Sequence, residues 1–471
     1  MNQKHLEKFI VKTLDHYRKV KKIPGIAFGV IKDGKLVKAF GAGEISLGSK
    51  KVPNGKSVFR IASMTKSFTA AAIIILRDRH LLRLDDPITK YLPWTKEIGV
   101  PEEGPEILIR DLLTMGAGFP TDDPWGDRQE QMSYQDFDEL VSKGICFARN
   151  PRTGFEYSNL GYALLGRIIT KVSGTDYLDF IQKEIFDELD MKATTFFEKY
   201  PRKDVKADGY ALYTKGLTLQ AVSHPGAFSA MGGMLSTIND LVSWIAHFQS
   251  GWKVKAKTML ETSSVREMQE PQRHILTSIV KDRRLRKIKT ITTSYCFGLF
   301  VDDDSLLGRF VSHSGGYPGF GSHMRWHPQS GYGVVALGNL SYAPMKDLAT
   351  EIIDRIVVES KEIPENKQLN VWESTIKALY VVIDLVNEWD ENIANRYFAM
   401  NVDMDKPRNE RIREFQRVRA KIGNCKTGSL RSESPATIIA ELIGSKGKTV
   451  VEIQMSPEKF SKIQKIIFYM R

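Results

Sequence analysis

A serine and a lysine three residues apart could supply a nucleophile and its base. Ser63 and Lys66 lie where a β-prone run, residues 57–62, meets a long apolar run, residues 71–76. The apolar run predicts a buried helix, so we expect Ser63 at its N-terminus, where free backbone N–H groups favour negative charge. Residues three apart share a helix face, and burial favours a neutral amine that can accept the hydroxyl proton. The alternative is a helix cap followed by a lysine that reaches solvent.

The same Ser-x-x-Lys spacing recurs in the chain, so the tetrapeptide alone is not specific. The other copies begin at Ser250, Ser278, Ser374, Ser445 and Ser456. None of them joins a strand-like run to an apolar helical run, and we interpret each as a surface coincidence.

A second motif, Tyr157-Ser158-Asn159, follows a Gly-containing turn and precedes an apolar helical pattern at residues 161–169. The phenol of Tyr157 could act as an acid or a base if a cation such as Lys66 lowers its pKa. The alternative is an ordinary aromatic residue before a helix.

A third motif, His313-Ser314-Gly315-Gly316, ends a predicted strand. Glycines let a substrate backbone approach a strand edge, where a free N–H group can stabilise an oxyanion. The alternative is a Gly-rich hairpin turn.

Composition and charge exclude several classes of protein. The net charge of +12 is spread along the 471 residues without a nucleic-acid-binding motif, so we expect no nucleic-acid partner. The densest basic cluster, residues 281–289, is interpreted as a solvated loop or helix face. Three distant cysteines indicate neither disulfides nor a metal site. His323 and His327 are too far apart on a strand to share one ion, and we interpret them as surface or sheet residues.

The chain shows no apolar signal core at its start and no apolar run near the roughly 18 residues of a membrane span. We therefore expect a cytoplasmic protein without a membrane span.

The order of strand-like and helix-like patterns indicates an α+β fold. Residues 24–44 predict a β-hairpin, residues 107–250 short helices and loops, residues 296–337 four strands, and residues 347–359 a helix. The hairpin and the later strands are expected to form one antiparallel sheet. An amphipathic helix predicted within residues 1–22 and the helix at residues 347–359 are expected to pack against it.

Two domains are predicted. A Pro-containing stretch, residues 361–369, looks like a linker between a large domain at residues 1–360 and a small α+β domain at residues 370–471. The small domain is expected to place helices before strands.

In this order and context, the three motifs resemble the class C β-lactamase/penicillin-binding-protein-like serine hydrolase family. The resemblance runs from about residue 23 to residue 359. It implies a β-lactamase/transpeptidase-like fold, an antiparallel sheet flanked by helices plus a helical region, and no cofactor or metal. The small C-terminal domain is similar to cystatin/NTF2-like appendages.

The resemblance also implies roles for individual residues. Ser63 would be the acylated nucleophile, Lys66 its proton acceptor or electrostatic partner, and Tyr157 the general base and acid. Asn159 would bind substrate and Lys66, and the backbone N–H groups of Ser63 and Gly316 would form the oxyanion hole. The substrate-binding strand would comprise His313, Ser314, Gly315 and Gly316.

One departure from the family bears on the substrate. His313 stands where lactamases of this class carry a lysine, and an unperturbed histidine is mostly neutral at neutral pH but charges as the pH falls toward 6. We therefore expect hydrolysis of D-amino-acid-containing peptides or amides, or of small esters, with slow or no β-lactam turnover. Any reaction with a penicillin is expected to strengthen as the pH falls toward 6. The alternatives are a true β-lactamase or penicillin-binding carboxypeptidase, and a non-catalytic binding or scaffold protein on the same fold. The literal Lys426-Thr427-Gly428 is interpreted as a decoy, and the oligomeric state stays open.

Overall fold

The chain divides into two compact units, Met1–Ile363 and Pro364–Arg471, and each has its own apolar core. The computed structural model describes residues 3–196, 205–221, 223–252, 259–282, 285, 287–360 and 371–469. The predicted linker, residues 361–369, lies outside the described residues. The assignment of residues 1–360 and 370–471 as domains stays a prediction.

The strands of the first unit are β1 (Gly25–Lys32), β2 (Lys35–Gly43), β3 (Phe59–Arg60), β4 (Tyr210–Tyr213), β5 (Gly216–Leu219), β6 (Leu235–Ser236), β7 (Arg273–Asp282), β8 (Lys287–Tyr295), β9 (Phe300–Asp304), β10 (Gly308–Tyr317), β11 (Phe320–His327) and β12 (Tyr332–Gly338). An antiparallel sheet orders eight of these as β2-β1-β12-β11-β10-β9-β8-β7. Two short antiparallel pairs, β3 with β6 and β4 with β5, stand apart from it.

The helices of the first unit are α1 (Gln3–Val20), α2 (Thr65–Asp78), α3 (Ile109–Leu113), α4 (Asp123–Gly126), α5 (Tyr134–Ser142), α6 (Asn159–Ser173), α7 (Tyr177–Ile181), α8 (Ser229–Gly232), α9 (Ile238–Ser250), α10 (Thr262–Glu267) and α11 (Met345–Ser360). Short 3₁₀ turns span Ala62–Met64, Ile88–Lys90 and Pro93–Ile98, and a π turn, Gln182–Phe186, follows α7.

Helices cover both faces of the large sheet, and alternate side chains of β1 therefore lie in two different cores. Ile26, Phe28 and Val30 lie in the core that α1 and α11 complete, whereas Ala27 and Ile31 lie in the core that α9 completes. Successive residues of a strand point to opposite faces, which produces this division. The predicted α+β arrangement, an antiparallel sheet between helices with a helical region, is confirmed.

The first hairpin turns where the sequence predicts it. Asp33 and Gly34 join β1 to β2 with φ angles of 52° and 80°. A two-residue turn with positive φ at both positions matches the twist of paired strands, and Asp-Gly tolerates that geometry well.

The sheet extends two strands further than predicted. Residues 281–289, interpreted from the sequence as a solvated loop or helix face, instead belong largely to the hairpin of β7 and β8. Lys289 is buried, and its Nζ lies 2.5 Å from Asp304 Oδ2 of β9. The many charged side chains of this stretch made it resemble a solvent-exposed segment and hid the strand pattern.

The second unit contains α12 (Glu373–Asn387), α13 (Glu391–Tyr397), α14 (Asn401–Asp405) and α15 (Arg408–Ile422), followed by β13 (Cys425–Ser434), β14 (Thr437–Gly444), β15 (Lys448–Met455) and β16 (Ile463–Tyr469). The strands form an antiparallel sheet in chain order. Helices therefore precede strands as expected, while β13 was not predicted. The cystatin/NTF2-like assignment stays a prediction.

Within the residues that the structure describes, no helix has both the length and the apolar character needed to cross a membrane.

Candidate active site

A sharp turn between strand and helix presents Ser63. The chain leaves β3, passes through the 3₁₀ turn Ala62–Met64 and enters α2. Ala62 has a φ of 49°, a left-handed conformation that costs energy for a residue with a Cβ atom. Ser63 is 7% exposed and lines a cavity of about 250 Å³.

Lys66 lies behind Ser63, fully buried in the first turn of α2. Its Nζ donates to Ser63 Oγ at 3.0 Å, to Asn159 Oδ1 at 2.6 Å and to the Met231 carbonyl at 2.8 Å. Three acceptors match the three protons of an ammonium group. The resting geometry therefore suits a protonated Lys66 that is already hydrogen-bonded to the nucleophile.

Three aspartates, which the sequence analysis did not identify, act on Lys66. Burial lowers the pKa of Lys66 to about 8, and the negative charges of Asp123, Asp127 and Asp122 oppose this effect. Burial in turn raises the pKa of Asp127 to about 7, which the charge of Lys66 counters. Lys66 therefore titrates close to neutral pH in a cluster of coupled groups.

The same aspartates hold the second motif in place. Asp122 accepts from the backbone N–H groups of Asn159 and Leu160 at 2.7 and 2.9 Å, so it caps the start of α6 from a distant loop. Asp123 Oδ1 accepts from Asn159 Nδ2 at 3.0 Å. The Asn159 oxygen is thereby turned toward Lys66.

Tyr157 lies against the ammonium group, but its pKa moves in the direction opposite to the one hypothesised. Lys66 Nζ is 4.9 Å from the centre of the Tyr157 ring. Burial and the charge of Asp123 raise the pKa of Tyr157 well above its usual value, although a hydrogen bond with Ser63 works against them. The net lowering of the pKa on which the hypothesis relied is therefore not found, because burial is the largest influence. The resting phenol is neutral.

His313 is a buried, neutral member of the third motif. Its Nδ1–H donates to the Ser314 carbonyl at 2.6 Å, so Nε2 carries the lone pair and accepts from the Tyr295 phenol at 3.3 Å. Burial and the charge of Lys66 lower the pKa of His313 to about 3. The expectation that His313 becomes charged toward pH 6 is therefore wrong, because burial and the charge of Lys66 outweigh the opposing effect of the hydrogen bond with Ser314.

The motif strand lies open to the cavity just beyond His313. Strand β9 pairs with β10 only as far as Ser312, so the β9-facing edge of β10 is unpaired beyond that point. Gly315 packs against the segment before Ser63, and a Cβ atom added to it would lie 2.2 Å from the Ile61 carbonyl oxygen. Only glycine permits this approach, which brings Gly316 to the cavity beside Ser63.

The structure thus brings all eight predicted site residues together. The cavity wall includes Ser63, Tyr157, His313, Ser314 and Gly316, while Lys66, Asn159 and Gly315 support it from behind. Further lining residues were not predicted: Asp123, Asp127, Phe300, Ser312, Tyr342 and Lys346. The pair Asp122-Asp123 before a proline was a usable helix-start signal, but nothing in the sequence joins it to Lys66.

Three sets of residues were not assigned to the site from the sequence: Lys426-Thr427-Gly428, His323 and His327. Lys426-Thr427-Gly428 begins β13 in the second unit. His323 and His327 lie on β11 and are buried, where they bond to Ser314 and to Ser330, respectively. Among the residues described, no group of three or more His, Cys, Asp or Glu side chains could hold a metal ion.

Known proteins are similar to this chain in sequence and in fold. The model of the beta-lactamase family matches residues 10–357. Protein flp of Staphylococcus aureus (strain MW2) is 30% identical over 344 residues, which cover 70% of this chain and 64% of that protein. Penicillin-binding protein 4* of Bacillus subtilis (strain 168) is 30% identical over 304 residues, 61% of either chain. The match thus spans somewhat less than two thirds of these two relatives.

The fold also occurs in a solved structure, that of the octameric penicillin-binding protein homologue from Pyrococcus abyssi. It is 22% identical, with a TM-score of 0.65, and the alignment covers 100% of this chain and 97% of that one. This likeness supports the fold, and the family match over most of the first unit establishes the relationship. The chain belongs to the beta-lactamase family of serine hydrolases.

Proposed function

We propose that this enzyme hydrolyses small esters, or amides and peptides containing D-amino acids, through an acyl-enzyme on Ser63. The observation that carries the proposal is the 3.0 Å hydrogen bond between Ser63 Oγ and the buried Nζ of Lys66 at the wall of the cavity. A nucleophile of this kind needs a base within hydrogen-bonding reach, and Lys66 meets that requirement.

Lys66 is the better candidate for the base that activates Ser63. With a pKa of about 8, a minor but useful fraction of Lys66 is neutral at neutral pH and can take the hydroxyl proton as Oγ attacks the carbonyl carbon. The neutral phenol of Tyr157 is suited to donate its proton to the leaving group and to recover one from Lys66. Water then attacks the ester formed on Ser63, and the same groups carry protons in reverse order.

The oxyanion of the tetrahedral intermediate would be bound by the backbone N–H groups of Ser63 and Gly316. Both residues line the cavity, and the Gly315 contact fixes the strand that carries Gly316 against the turn that carries Ser63. Donors already in position stabilise developing charge at little reorganisation cost.

The charge around the cavity supports the proposed substrate class. His313 stays neutral, whereas Asp123 and Asp127 contribute acidic groups to the wall. A substrate without a carboxylate next to the scissile carbonyl therefore suits this wall. Lys346, an exposed cation at the start of α11, lines the same cavity and favours the second candidate, a carboxylate-bearing substrate such as a β-lactam.

Covalent labelling tests the proposal. A fluorophosphonate and a fluorescent penicillin should each be offered to the protein and followed by intact mass and peptide mapping. We expect one fluorophosphonate adduct per chain, on Ser63, and none on the Ser63→Ala variant. Ser445→Ala is the matched control, because Ser445 begins an exposed copy of Ser-x-x-Lys. Labelling that persists in Ser63→Ala would overturn the proposal.

Substrate comparison separates the two candidates. We expect kcat/KM for p-nitrophenyl acetate and a D-alanyl anilide to exceed that for a chromogenic cephalosporin. Cephalosporin turnover well above both, and lost in Lys346→Gln but kept in Lys346→Arg, would favour the carboxylate-bearing class instead.

A further inference from the structure

A fully buried carboxylate next to the site has no role in the steps described above. Glu130 is 0% exposed and accepts two hydrogen bonds from the guanidinium of Arg60, one of them to Oε1 at 3.0 Å. Its Oε2 also accepts from the phenol of Tyr317 at 2.6 Å. The Arg60 guanidinium in turn lies 4.3 Å from the centre of the Tyr317 ring. These three side chains form one compact group, the Glu130 cluster.

The members of the Glu130 cluster flank both proposed oxyanion donors. Arg60 ends β3, three residues before Ser63, and Tyr317 directly follows Gly316 at the end of β10. Arg60 and Tyr317 come from distant parts of the chain, yet both bond to the same carboxylate. The Glu130 cluster therefore fixes the two donor-bearing segments relative to each other at a point beside the cavity.

A second link joins the Ser63 segment to β10 and to β11, in which Ser322 pairs with Gly315 of β10. The Ser322 hydroxyl donates to the Ile61 carbonyl at 2.7 Å, and Gly315 packs on that same carbonyl. The donor-bearing segments are thus tied at two places, one on each side of Gly316. Two points of contact restrict both the rotation and the separation of the two segments, which a single contact cannot do.

We propose that Glu130, Arg60 and Tyr317 are positioning residues that hold the N–H groups of Ser63 and Gly316 at the spacing a tetrahedral oxyanion requires. This inference rests on the proposed function. Stability alone gives a poor account of the cluster, since replacing a buried ion pair by apolar side chains of similar volume is often neutral or stabilising. Apolar side chains would hold the two N–H donors in place less well, because hydrogen bonds between charged groups fix the relative geometry of the segments that they join.

Tyr317→Phe tests the proposal with the least disturbance. The variant keeps the ring against Arg60 and leaves both Arg60–Glu130 hydrogen bonds, but it releases the Gly316 segment from Glu130. Loss of a whole oxyanion donor costs about 100- to 1000-fold in kcat, so we expect loosening of one donor to cost about tenfold. KM for p-nitrophenyl acetate should stay within about twofold, because the ground-state ester carries little charge.

An inhibitor that forms a tetrahedral adduct supplies a readout that a purely structural role would not change. Affinity for an alkyl boronic acid, whose adduct with a serine is a tetrahedral anion, should fall by about the same factor as kcat. Tyr134→Phe is the matched control, because it removes another tyrosine–carboxylate hydrogen bond, to Asp176 at 3.1 Å, in a different part of the fold. It should leave kcat and boronate affinity unchanged.

Glu130→Gln provides a second test, since the amide keeps the shape of the side chain but loses its charge. If it folds, as judged by its thermal midpoint and circular dichroism, it should lower kcat and boronate affinity together, at least as much as Tyr317→Phe. Folded variants with wild-type kcat and boronate affinity would overturn the inference while leaving Ser63 labelling intact. Absence of Ser63 labelling in the wild type would instead overturn the proposed function, and this inference with it.

Discussion

Replacing Asp127 by asparagine should make the enzyme active at lower pH. Burial lowers the pKa of Lys66 to about 8, and the charge of Asp127 is one of three that hold it from falling further. Tyr342 donates to Asp127 Oδ2 at 3.0 Å, and an asparagine oxygen can accept the same hydrogen bond. The substitution therefore removes charge and preserves the contact. With less stabilisation of the ammonium form, Lys66 should lose its proton more readily.

The size of the effect follows from the coupled titration. A pKa of about 8 leaves about one Lys66 in ten neutral at pH 7. A nearby opposite charge moves a pKa by about 1 to 3 pH units, but Asp127, with its own pKa raised to about 7, is only partly charged near neutrality. We therefore expect the Lys66 midpoint to fall by about one pH unit, which brings about half of Lys66 to the neutral form at pH 7. If this neutral fraction limits acylation, kcat/KM at that pH rises about fivefold.

The assay is kcat/KM for p-nitrophenyl acetate between about pH 5.5 and 9.5, where the rising limb reports the base of the free enzyme. Asp179→Asn is the matched control, because it removes the same charge from an exposed position on α7. It should leave the midpoint in place. If the midpoint of the pH–rate profile is unchanged or higher in Asp127→Asn, the assignment of Lys66 as the titrating base is refuted.

Four other outcomes are expected. The ratio of rates on carboxylate-bearing and neutral esters should fall from about pH 6 to 8 in the wild type, because Asp127 in the cavity wall, with its pKa raised to about 7, gains negative charge there while His313, with a pKa of about 3, does not titrate. His313→Lys should raise that ratio, as measured by kcat/KM on a matched pair of such esters. Gly315→Ala should abolish Ser63 labelling and lower the thermal midpoint, because its Cβ would meet the Ile61 carbonyl oxygen at 2.2 Å. A chain that ends near residue 363 should remain folded by circular dichroism and react with the fluorophosphonate, given the separate core of the first unit.

The parts of the site that the sequence predicts are those that local geometry determines. Ser63 and Lys66 are one helical turn apart, so their contact follows from the helix itself. The Asp33-Gly34 turn fixes the first hairpin in the same local way. Local rules do not predict that the three motifs lie together in space. That tertiary arrangement was predicted from the resemblance to a known family.

The acidic groups could not be predicted, because their position is a tertiary property. Asp122, Asp123 and Asp127 stand around a short helix, α4, with no long pattern of its own. Glu130 lies in the connection that follows, and its burial depends on Arg60 and Tyr317 arriving from other parts of the chain. Isolated carboxylates in a polar stretch are usually solvated, and only the folded chain shows that Asp127 and Glu130 are buried.

The same reasoning explains why the pKa hypotheses for Tyr157 and His313 failed in opposite directions. The hypothesis for Tyr157 relied on the charge of Lys66 and that for His313 on the pKa of an unperturbed histidine, whereas burial is the largest influence on both pKa values. Loss of solvent penalises whichever form is charged, so it raises the pKa of a phenol and lowers that of an imidazole. Both groups are consequently neutral beside Lys66. The pKa values of Lys66 and Asp127, about 8 and about 7, lie near neutrality instead, so we expect this pair, rather than the third motif, to control activity with pH.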